Sequence, residues 1–247
     1  MDLNDLQTTW DAQGRADPLW AILSDPSKKG RRWDAHEFFA TGVRQVESLI
    51  AYLRALPGAE LGSRAALDFG CGVGRLTQPL AEYFTEVVGV DLSPSMIDLA
   101  RKYNRHPERC HYYVNASADL PRFPAGSFDL VLSYLTLQHI PPRYTKQYIQ
   151  EFMRVTTRGG LVCFQLPTRP AAASYVVRIP VWRLKSGVRA LLARIGVGNG
   201  ARIAMHGVSR EAVQRILQES GGRLLDLTRV DGLTPEWEGY RYVASKE

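Results

Sequence analysis

Short apolar runs separated by segments with helical spacing constrain the fold of this chain more than any other feature. VVGV at 87–90 and DLVLSYL at 129–135 are nearly continuous apolar runs, which are typical of strands covered on both faces. Between such runs, apolar residues recur every three or four positions. Strands that alternate with helices predict βαβ units, so we expect an α/β fold with a mostly parallel sheet and right-handed connections.

The same patterns give the order of the elements. Strands are expected at 65–69, 87–90, 111–114, 128–134 and 161–166, and near 223–230 and 240–244. Helices are expected at 38–53, 75–84, 95–104, 143–155 and 209–218. We therefore predict a helical lid at 1–60 and a single α/β domain at 61–247. In that domain a seven-stranded sheet is flanked by helices, and a basic insertion at 167–208 precedes the last helix.

Composition limits the class of protein. The 247 residues, of which 45% are hydrophobic, can bury one substantial core. The N-terminus MDLNDLQTTW lacks the basic and apolar regions of a signal peptide, and no apolar run reaches the ~18 residues that span a bilayer. Cys71, Cys110 and Cys163 cannot all pair and lack the spacing of a metal site. These features predict a soluble, cytoplasmic protein.

The stretch LDFGCGVG at 67–74 places three alternate glycines directly after the first predicted strand. It is not a phosphate-binding loop, because Arg75 and Leu76 follow it instead of lysine and serine or threonine. A dinucleotide fingerprint would need its third glycine at position 75, which is arginine. What remains is an acid followed by glycines at alternate positions, which fits a ligand without a pyrophosphate: Asp68, Gly70, Gly72 and Gly74.

Over about 60–166 the chain resembles the class I S-adenosylmethionine-dependent methyltransferases. The resemblance rests on the glycine loop, VVGVD at 87–91, ADL at 118–120, FDLVLSYLTLQHIPP at 128–142 and RVTTRGGLVCFQ at 154–165. It implies a Rossmann-like methyltransferase domain with S-adenosylmethionine as cofactor. Glycine suits the loop because a residue without a Cβ lets the backbone approach a ligand closely.

The resemblance also implies roles for the residues that bind the cofactor. Asp68 would help hold its amino-acid end, and the glycine loop would lie along the methionine part and the ribose. Asp91 would accept hydrogen bonds from both ribose hydroxyls. Leu92 and Met96 would lie against the adenine. In the motif that ends in Leu120, Asp119 would accept a hydrogen bond from the adenine amino group. Structural alternatives stay open, since turns need glycine, Asp91 can cap the following helix, and Asp119 can be an ordinary loop carboxylate.

Three polar residues are candidates for the chemistry of the acceptor. Methyl transfer to an alcohol needs in-line alignment and a group that takes up the hydroxyl proton. His139 follows the fourth strand, where related enzymes place residues that face the methyl group, and an ordinary histidine has a pKa near neutrality. His206 precedes the last helix, and Gln165 ends the fifth strand, where it could orient a polar acceptor.

Each of these candidates has an alternative. His139 could pack at the Pro141-Pro142 turn, His206 could be a solvated loop residue, and Gln165 could make a strand-end hydrogen bond. A divalent metal ion held by His139, His206 and an acid stays open as well, because no spacing establishes it or excludes it.

Charge bears on the class of acceptor. The formal net charge is +6, and between Glu151 and Glu211 the chain has ten arginines and lysines and no acid. No nucleic-acid recognition motif accompanies these cations. In addition, SYLT at 133–136 stands where nucleic-acid and amine N-methyltransferases of this type carry Asn/Asp-Pro-Pro-aromatic. We therefore expect no nucleic-acid partner.

The resulting prediction is an O-methyltransferase of a small molecule, with a sugar hydroxyl or a lipid-linked glycan as the first subtype to test. Two alternatives remain. One is carbon methylation of a quinone or polyketide ring. The other, from a different functional class, is a regulatory protein that binds S-adenosylmethionine without catalysis.

Two flanking segments are expected to build the acceptor pocket. The first 40 residues carry aromatic side chains that form either a lid or core anchors: Trp10, Trp20, Trp33, Phe38 and Phe39. In the basic insertion, 178–195 predicts an amphipathic helix with a cationic face. Such a helix either contacts an anionic membrane or acceptor, or packs its apolar face on the domain and leaves its arginines solvated.

Overall fold

The computed structural model describes residues 2–170, 204–230 and 237–247. Its strands are β1 (Ala65–Phe69), β2 (Glu86–Asp91), β3 (Cys110–Val114), β4 (Phe128–Ser133), β5 (Thr156–Pro170), β6 (Gly222–Val230) and β7 (Trp237–Lys246). They form a seven-stranded sheet in the order β3-β2-β1-β4-β5-β7-β6. The pairs among β1 to β5 are parallel, and β7 runs antiparallel to both β5 and β6. The predicted α/β fold with a mostly parallel sheet is confirmed.

The helices follow the local signals in the sequence. They are α1 (Leu3–Ala16), α2 (Pro18–Ile22), α3 (Ala35–Ala55), α4 (Thr77–Leu80), α5 (Pro94–Tyr103), α6 (Pro142–Val155) and α7 (Arg210–Glu219). α5 begins with proline in its first turn and with Ser93 as N-cap, whose side chain accepts from the Met96 N–H. Ser209 caps α7 in the same way. The helices α5 and α7 therefore begin within one residue of their predicted starts.

Alternate residues of each strand face two separate parts of the core. Leu67 of β1 packs in one cluster, on the side of α6 and α7, and its neighbour Ala66 packs in the other, on the side of α3 and α5. Both residues are fully buried. In the first cluster, Phe164 stacks on Tyr242 with ring centroids 5.1 Å apart. Because both faces are covered, the central strands are apolar almost throughout.

The helix expected at 75–84 is much shorter in the structure. α4 comprises Thr77–Leu80 and is flanked by turns. A helix beginning at position 75 would need Pro79 to donate a hydrogen bond to the Arg75 carbonyl, and proline has no N–H. The longer prediction was therefore wrong, although the segment keeps its place between β1 and β2.

The first 60 residues have two different roles. α3 buries Val46, Leu49 and Leu53 against the sheet and belongs to the core. Phe38 and Phe39 also pack as core anchors, in a cluster that includes Met96. α1 and α2 instead border the cavity described below. The lid at 1–60 stays a prediction; within that range, residues before α3 line the cavity, whereas α3 belongs to the core.

β5 continues to Pro170, within the range 167–208 that was predicted as a basic insertion. The helix predicted at 178–195 lies outside the described residues. The chain is described again from Ala204, where the His206 N–H donates to the Gln138 carbonyl at 2.7 Å and the Val208 N–H donates to the Pro167 carbonyl at 3.0 Å. Within the described ranges, we find no helix that is both long and apolar enough to cross a membrane.

Candidate functional site

A cavity of about 550 Å³ lies at the carboxyl ends of β1, β2 and β4. In open α/β sheets this edge is where ligands bind. Residues of α1 and α2 also line the cavity. The described residues that line it are Leu3, Leu6, Trp10, Ala21, Ile22, Leu23, Ser24, Phe69, Gly70, Gly72, Val90, Asp91, Leu92, Met96, Asn115, Tyr134, Leu135, Thr136, Gln138, His139, Ile140, Tyr148 and Met205.

The glycine loop turns sharply and is tied to the neighbouring strand. The N–H groups of Gly70 and Cys71 donate to the Val90 carbonyl at 2.8 and 3.0 Å. Gly70 has φ 77°, in the left-handed region that favours glycine. A Cβ at this position would overlap the Thr136 side chain. Glycine is therefore required at position 70 both by the backbone conformation and by the close approach of the segment after β4.

Asp91 ends β2 and faces the cavity. Its Oδ2 accepts from the Gly72 N–H, and its Oδ1 accepts from the Ser93 N–H, both at 2.9 Å. Burial raises the pKa of Asp91, while the two N–H groups oppose that rise. Each carboxylate oxygen has further acceptor capacity. The predicted cofactor residues Gly70, Gly72, Leu92 and Met96 line the same cavity as this carboxylate.

Asp68 does not line the cavity. It is 2% exposed, and its Oδ2 accepts from the Thr77 hydroxyl at 2.6 Å. Burial raises the pKa of Asp68 to about 6, although Thr77 and the nearby Arg75 guanidinium favour its ionised form. Gly74 also lies away from the lining, with the Tyr112 ring close to its Cα. The structure thus places neither residue in the cavity wall.

Asp119 and Leu120 are not in the lining either. Asp119 accepts from the Ser117 hydroxyl, and Leu120 is fully buried in the core. Asn115 lines the cavity instead, and its side-chain amide donates to the carbonyls of Ser117 at 3.0 Å and Asp119 at 3.1 Å. Sequence reasoning missed Asn115, although it follows β3 just as Asp91 ends β2. Its position after a predicted parallel strand was the available signal.

His139 lies in the cavity wall beside two side chains. Its Nδ1 is 3.4 Å from the Ala204 carbonyl, and its Nε2 is 3.1 Å from Nε2 of Gln138. A neutral imidazole with hydrogen on Nδ1 satisfies both contacts, because it donates to the carbonyl and accepts from the amide. Burial lowers the pKa of His139 to about 4, so the ring is neutral near pH 7. The Trp10 ring centroid lies 5.1 Å from that of His139.

The other two candidates for acceptor chemistry lie outside the lining. His206 is close enough that its charge lowers the pKa of His139, but its own Nε2 is buried without a hydrogen-bond partner among the described residues. Burial also lowers the pKa of His206. Gln165 is half-buried in β5, opposite Arg241 of β7. Met205, next to His206, is the residue of that segment that reaches the cavity.

The segment that follows β4 is strained. Leu135 has φ 57°, which is uncommon for a bulky residue. Such conformations cost ~1–3 kcal/mol and are often found at functional sites. This turn brings Tyr134, Thr136 and Gln138 to the cavity with His139. Sequence reasoning selected His139 here but missed its neighbours, because the turn cannot be inferred from residue types.

Within the described ranges, no group of three or more His, Cys, Asp or Glu side chains is placed so that it could hold a metal ion. The pair His139 and His206 therefore has no acidic third ligand within those ranges.

The comparisons with known proteins agree with this geometry. Residues 67–164 match the family described as "Methyltransferase domain". Over residues 67–164 the chain is therefore similar to methyltransferase domains, and its Rossmann-like fold is shared with solved methyltransferases. The match begins at the glycine loop and ends in β5, so this domain includes the carboxyl ends of β1, β2 and β4.

Curated relatives of the methyltransferase domain match about half of this chain. The ubiquinone biosynthesis O-methyltransferase of Xanthomonas campestris pv. campestris is 31% identical over 133 residues, which cover 53% of this chain and 45% of the relative. The probable chloroplastic tocopherol O-methyltransferase of Oryza sativa subsp. japonica is 27% identical over 124 residues, covering 49% and 33%. The matched region thus spans less than half of each of these two relatives.

Solved structures share the whole fold at low identity. The magnesium protoporphyrin IX methyltransferase of Synechocystis PCC 6803 with bound SAH has a TM-score of 0.64 and 19% identity, with both chains fully covered. The [4+2]-cyclase SpnF has a TM-score of 0.65 and 14% identity, covering 100% of this chain and 97% of that one. A protein named as a methyltransferase and one named as a cyclase therefore share this fold, so the fold alone does not fix the reaction.

Proposed function

We propose that the protein transfers the methyl group of S-adenosylmethionine to a hydroxyl group of a small molecule. The observation that carries the proposal is the convergence of the glycine loop, Asp91 and His139 on one cavity. The residues present fit the cofactor. The Asp91 carboxylate can accept further hydrogen bonds, and the loop has no side chain at Gly70 and Gly72, so its backbone can approach a ligand closely. When bound, the cofactor supplies a methyl group activated by a sulfonium.

The chain's own residues would bind and orient both reactants. Asp91, held by the Gly72 and Ser93 N–H groups, would accept from the ribose hydroxyls. His139 is neutral and presents a ring nitrogen that can accept a hydrogen bond from an acceptor hydroxyl in place of Gln138. Because a pKa of about 4 makes it a weak base, orienting the hydroxyl is expected to be its larger contribution.

The cavity wall favours an apolar, ring-containing acceptor. Of the lining residues that the structure describes, Asp91 is the single carboxylate, and none is lysine or arginine. Most of the remaining wall is aliphatic or aromatic, including Leu6, Trp10 and Ile140. Two relatives are named as O-methyltransferases, which supports oxygen as the acceptor atom. The sugar or lipid-linked glycan expected from the sequence has no comparable support, so we place it second.

We further propose that the protein acts in the cytoplasm. The three cysteines are free and buried, which suits a reducing compartment. Contact with a membrane through 178–195 stays a prediction, because that segment lies outside the described residues.

The test is a transfer assay with cofactor labelled in its methyl group. The acceptor panel should contain phenols, hydroxyquinones and sugars, and mass spectrometry should locate the label. We expect label on the oxygen of an apolar ring compound. Label on ring carbon would support the carbon methyltransferase instead. Cofactor binding without transfer to any acceptor would support a regulatory role, and failure to bind S-adenosylhomocysteine would refute the proposal altogether.

A further inference from the structure

The first helix is hydrogen-bonded to the methyltransferase domain around the start of α5. Oδ1 of Asp11 accepts from the Ser95 N–H at 2.8 Å and from the Ser93 hydroxyl at 3.3 Å. The Ser95 hydroxyl donates to the Asp11 carbonyl at 3.0 Å. One turn earlier, the Gln7 amide donates to the Leu92 carbonyl at 2.9 Å. We call these four contacts the α1 latch.

Asp11 completes the N-terminus of α5 from outside that helix. The first N–H groups of a helix have no partner within it, and Ser93 satisfies that of Met96. Asp11 satisfies the Ser95 N–H and places a negative charge at the positive end of the helix. These contacts, the Ser95 N–H above all, lower the pKa of Asp11 to about 2, so its carboxylate stays ionised at neutral pH.

The packing between α1 and α5 is close at the same point. Gly14 is buried, and a Cβ there would overlap the Ser95 hydroxyl. Glycine in a helix interior costs ~1 kcal/mol relative to alanine. The close approach of α5 accounts for a glycine at this position.

The α1 latch connects two walls of one cavity. On the domain side its hydrogen bonds reach Leu92, Ser93 and Ser95, within four residues after Asp91. On the helix side, α1 presents Leu6 and Trp10 to the cavity.

We propose that Asp11 is a positioning residue that holds Leu6 and Trp10 in the wall of the acceptor cavity. It does so through Ser93 and Ser95, which lie two and four residues after Asp91, so docking of α1 and binding of the cofactor stabilise each other. Linkage requires this effect to be reciprocal. The assignment of the cavity to an acceptor rests on the proposed function, whereas the latch does not.

Hydrogen exchange measured by mass spectrometry on the full chain tests the proposal. In the free protein, Asp11→Ala should speed exchange of the peptide that covers α1 by about three- to tenfold, the range expected for a lost cap. Asp11→Asn keeps an oxygen acceptor and should give a smaller increase. S-adenosylhomocysteine should slow exchange of α1 in the parent, and Asp11→Ala should largely remove that protection and weaken ligand affinity severalfold by calorimetry.

Two controls separate the latch from general effects on α1. Arg15→Ala removes the ion pair to Oδ2 of Asp11 and leaves the contacts of Oδ1 to α5. Asn4→Ala changes an exposed side chain of the same helix. Both variants should exchange within twofold of the parent. The peptide that covers α6 reports global unfolding. If that peptide also exchanges faster in Asp11→Ala, exchange of α1 in Asp11→Asn decides whether Asp11 holds α1.

Three results would overturn the proposal. The first is exchange of α1 in the Asp11 variants within twofold of the parent. The second is equal protection by S-adenosylhomocysteine in the parent and in Asp11→Ala. The third is an increase in α1 exchange in Arg15→Ala that equals the increase in Asp11→Ala. If the parent fails to bind S-adenosylhomocysteine, the proposed function and the coupling both fail, while the exchange of the free protein still decides whether Asp11 holds α1.

Discussion

At the scale of single residues, two carboxylates near the glycine loop have opposite surroundings. Asp68 is buried against Thr77 and does not line the cavity, whereas Asp91 faces it with both oxygens fixed by backbone N–H groups. Fixed geometry lowers the entropic cost of binding a ligand. Asp91 is therefore the residue that a test of cofactor binding should change first.

We expect Asp91→Ala to weaken binding of S-adenosylhomocysteine at least tenfold, or ~1.4 kcal/mol, because hydrogen bonds to a charged group contribute ~1.5–3 kcal/mol each. Isothermal titration calorimetry measures this directly. Asp98→Ala is the matched control, since the Asp98 side chain on α5 is 76% exposed. Equal affinity in Asp91→Ala and the control would remove Asp91 from the site.

His139 should make stability depend on pH. Its pKa is about 4 in the folded protein and ~6.5 when unfolded, so between these values the unfolded chain binds the extra proton. Stability must then fall as the pH falls through this window, by at most ~1.4 kcal/mol per pH unit. Between pH 7 and pH 5 the parent should lose up to about 2 kcal/mol more than His139→Gln does.

Urea unfolding at the two pH values measures this difference. His36→Gln, at an exposed position of α3, is the control and should behave like the parent. A parent and a His139→Gln variant with the same pH dependence would show that burial of the ring does not depress its pKa.

At the scale of elements, the glycine loop is shaped by its contact with the segment after β4. Gly70 and Gly159 have nearly the same positive φ, 77° and 79°. A Cβ at Gly70 would overlap Thr136, whereas a Cβ at Gly159 would have no atom within 4 Å. The two positions therefore separate the cost of the backbone conformation from the cost of the close approach.

We expect Gly159→Ala to cost ~1 kcal/mol of stability, the strain of alanine at positive φ. Gly70→Ala should cost ~1–3 kcal/mol more, because Thr136 must move. Chemical denaturation of both variants gives the comparison. Equal costs would mean that the glycine loop and the segment after β4 can move apart without loss of stability.

At the scale of the whole molecule, a ligand that binds the folded state should stabilise the whole domain. At a concentration 100 times its dissociation constant, S-adenosylhomocysteine should add ~2.7 kcal/mol. For a chain of this size, that corresponds to a rise in Tm of about 5–10 °C. Differential scanning fluorimetry should show this rise in the parent and a smaller one in Asp91→Ala. No shift in the parent, at any concentration up to millimolar, would contradict the assignment of the cavity.

Much of the molecule could be predicted from local patterns. The order of strands and helices, the parallel centre of the sheet and the glycine loop follow from periodicity and from residues with special backbone freedom. Gly70, Gly72, Asp91, Leu92, Met96 and His139 were selected from the sequence and line one cavity. These signals are readable because each depends on a few neighbouring residues.

The sequence by itself therefore determined the architecture and the edge of the sheet where the cavity lies. Only the tertiary structure decided which polar residues reach that edge: Asn115 and Gln138 do, while Asp68, Asp119, Gln165 and His206 do not. It also decided that Asp11 caps a helix that begins more than 80 residues later. The physical reason is that such contacts depend on strand register, on strained turns such as that at Leu135, and on helix packing, none of which leaves a local pattern in the chain.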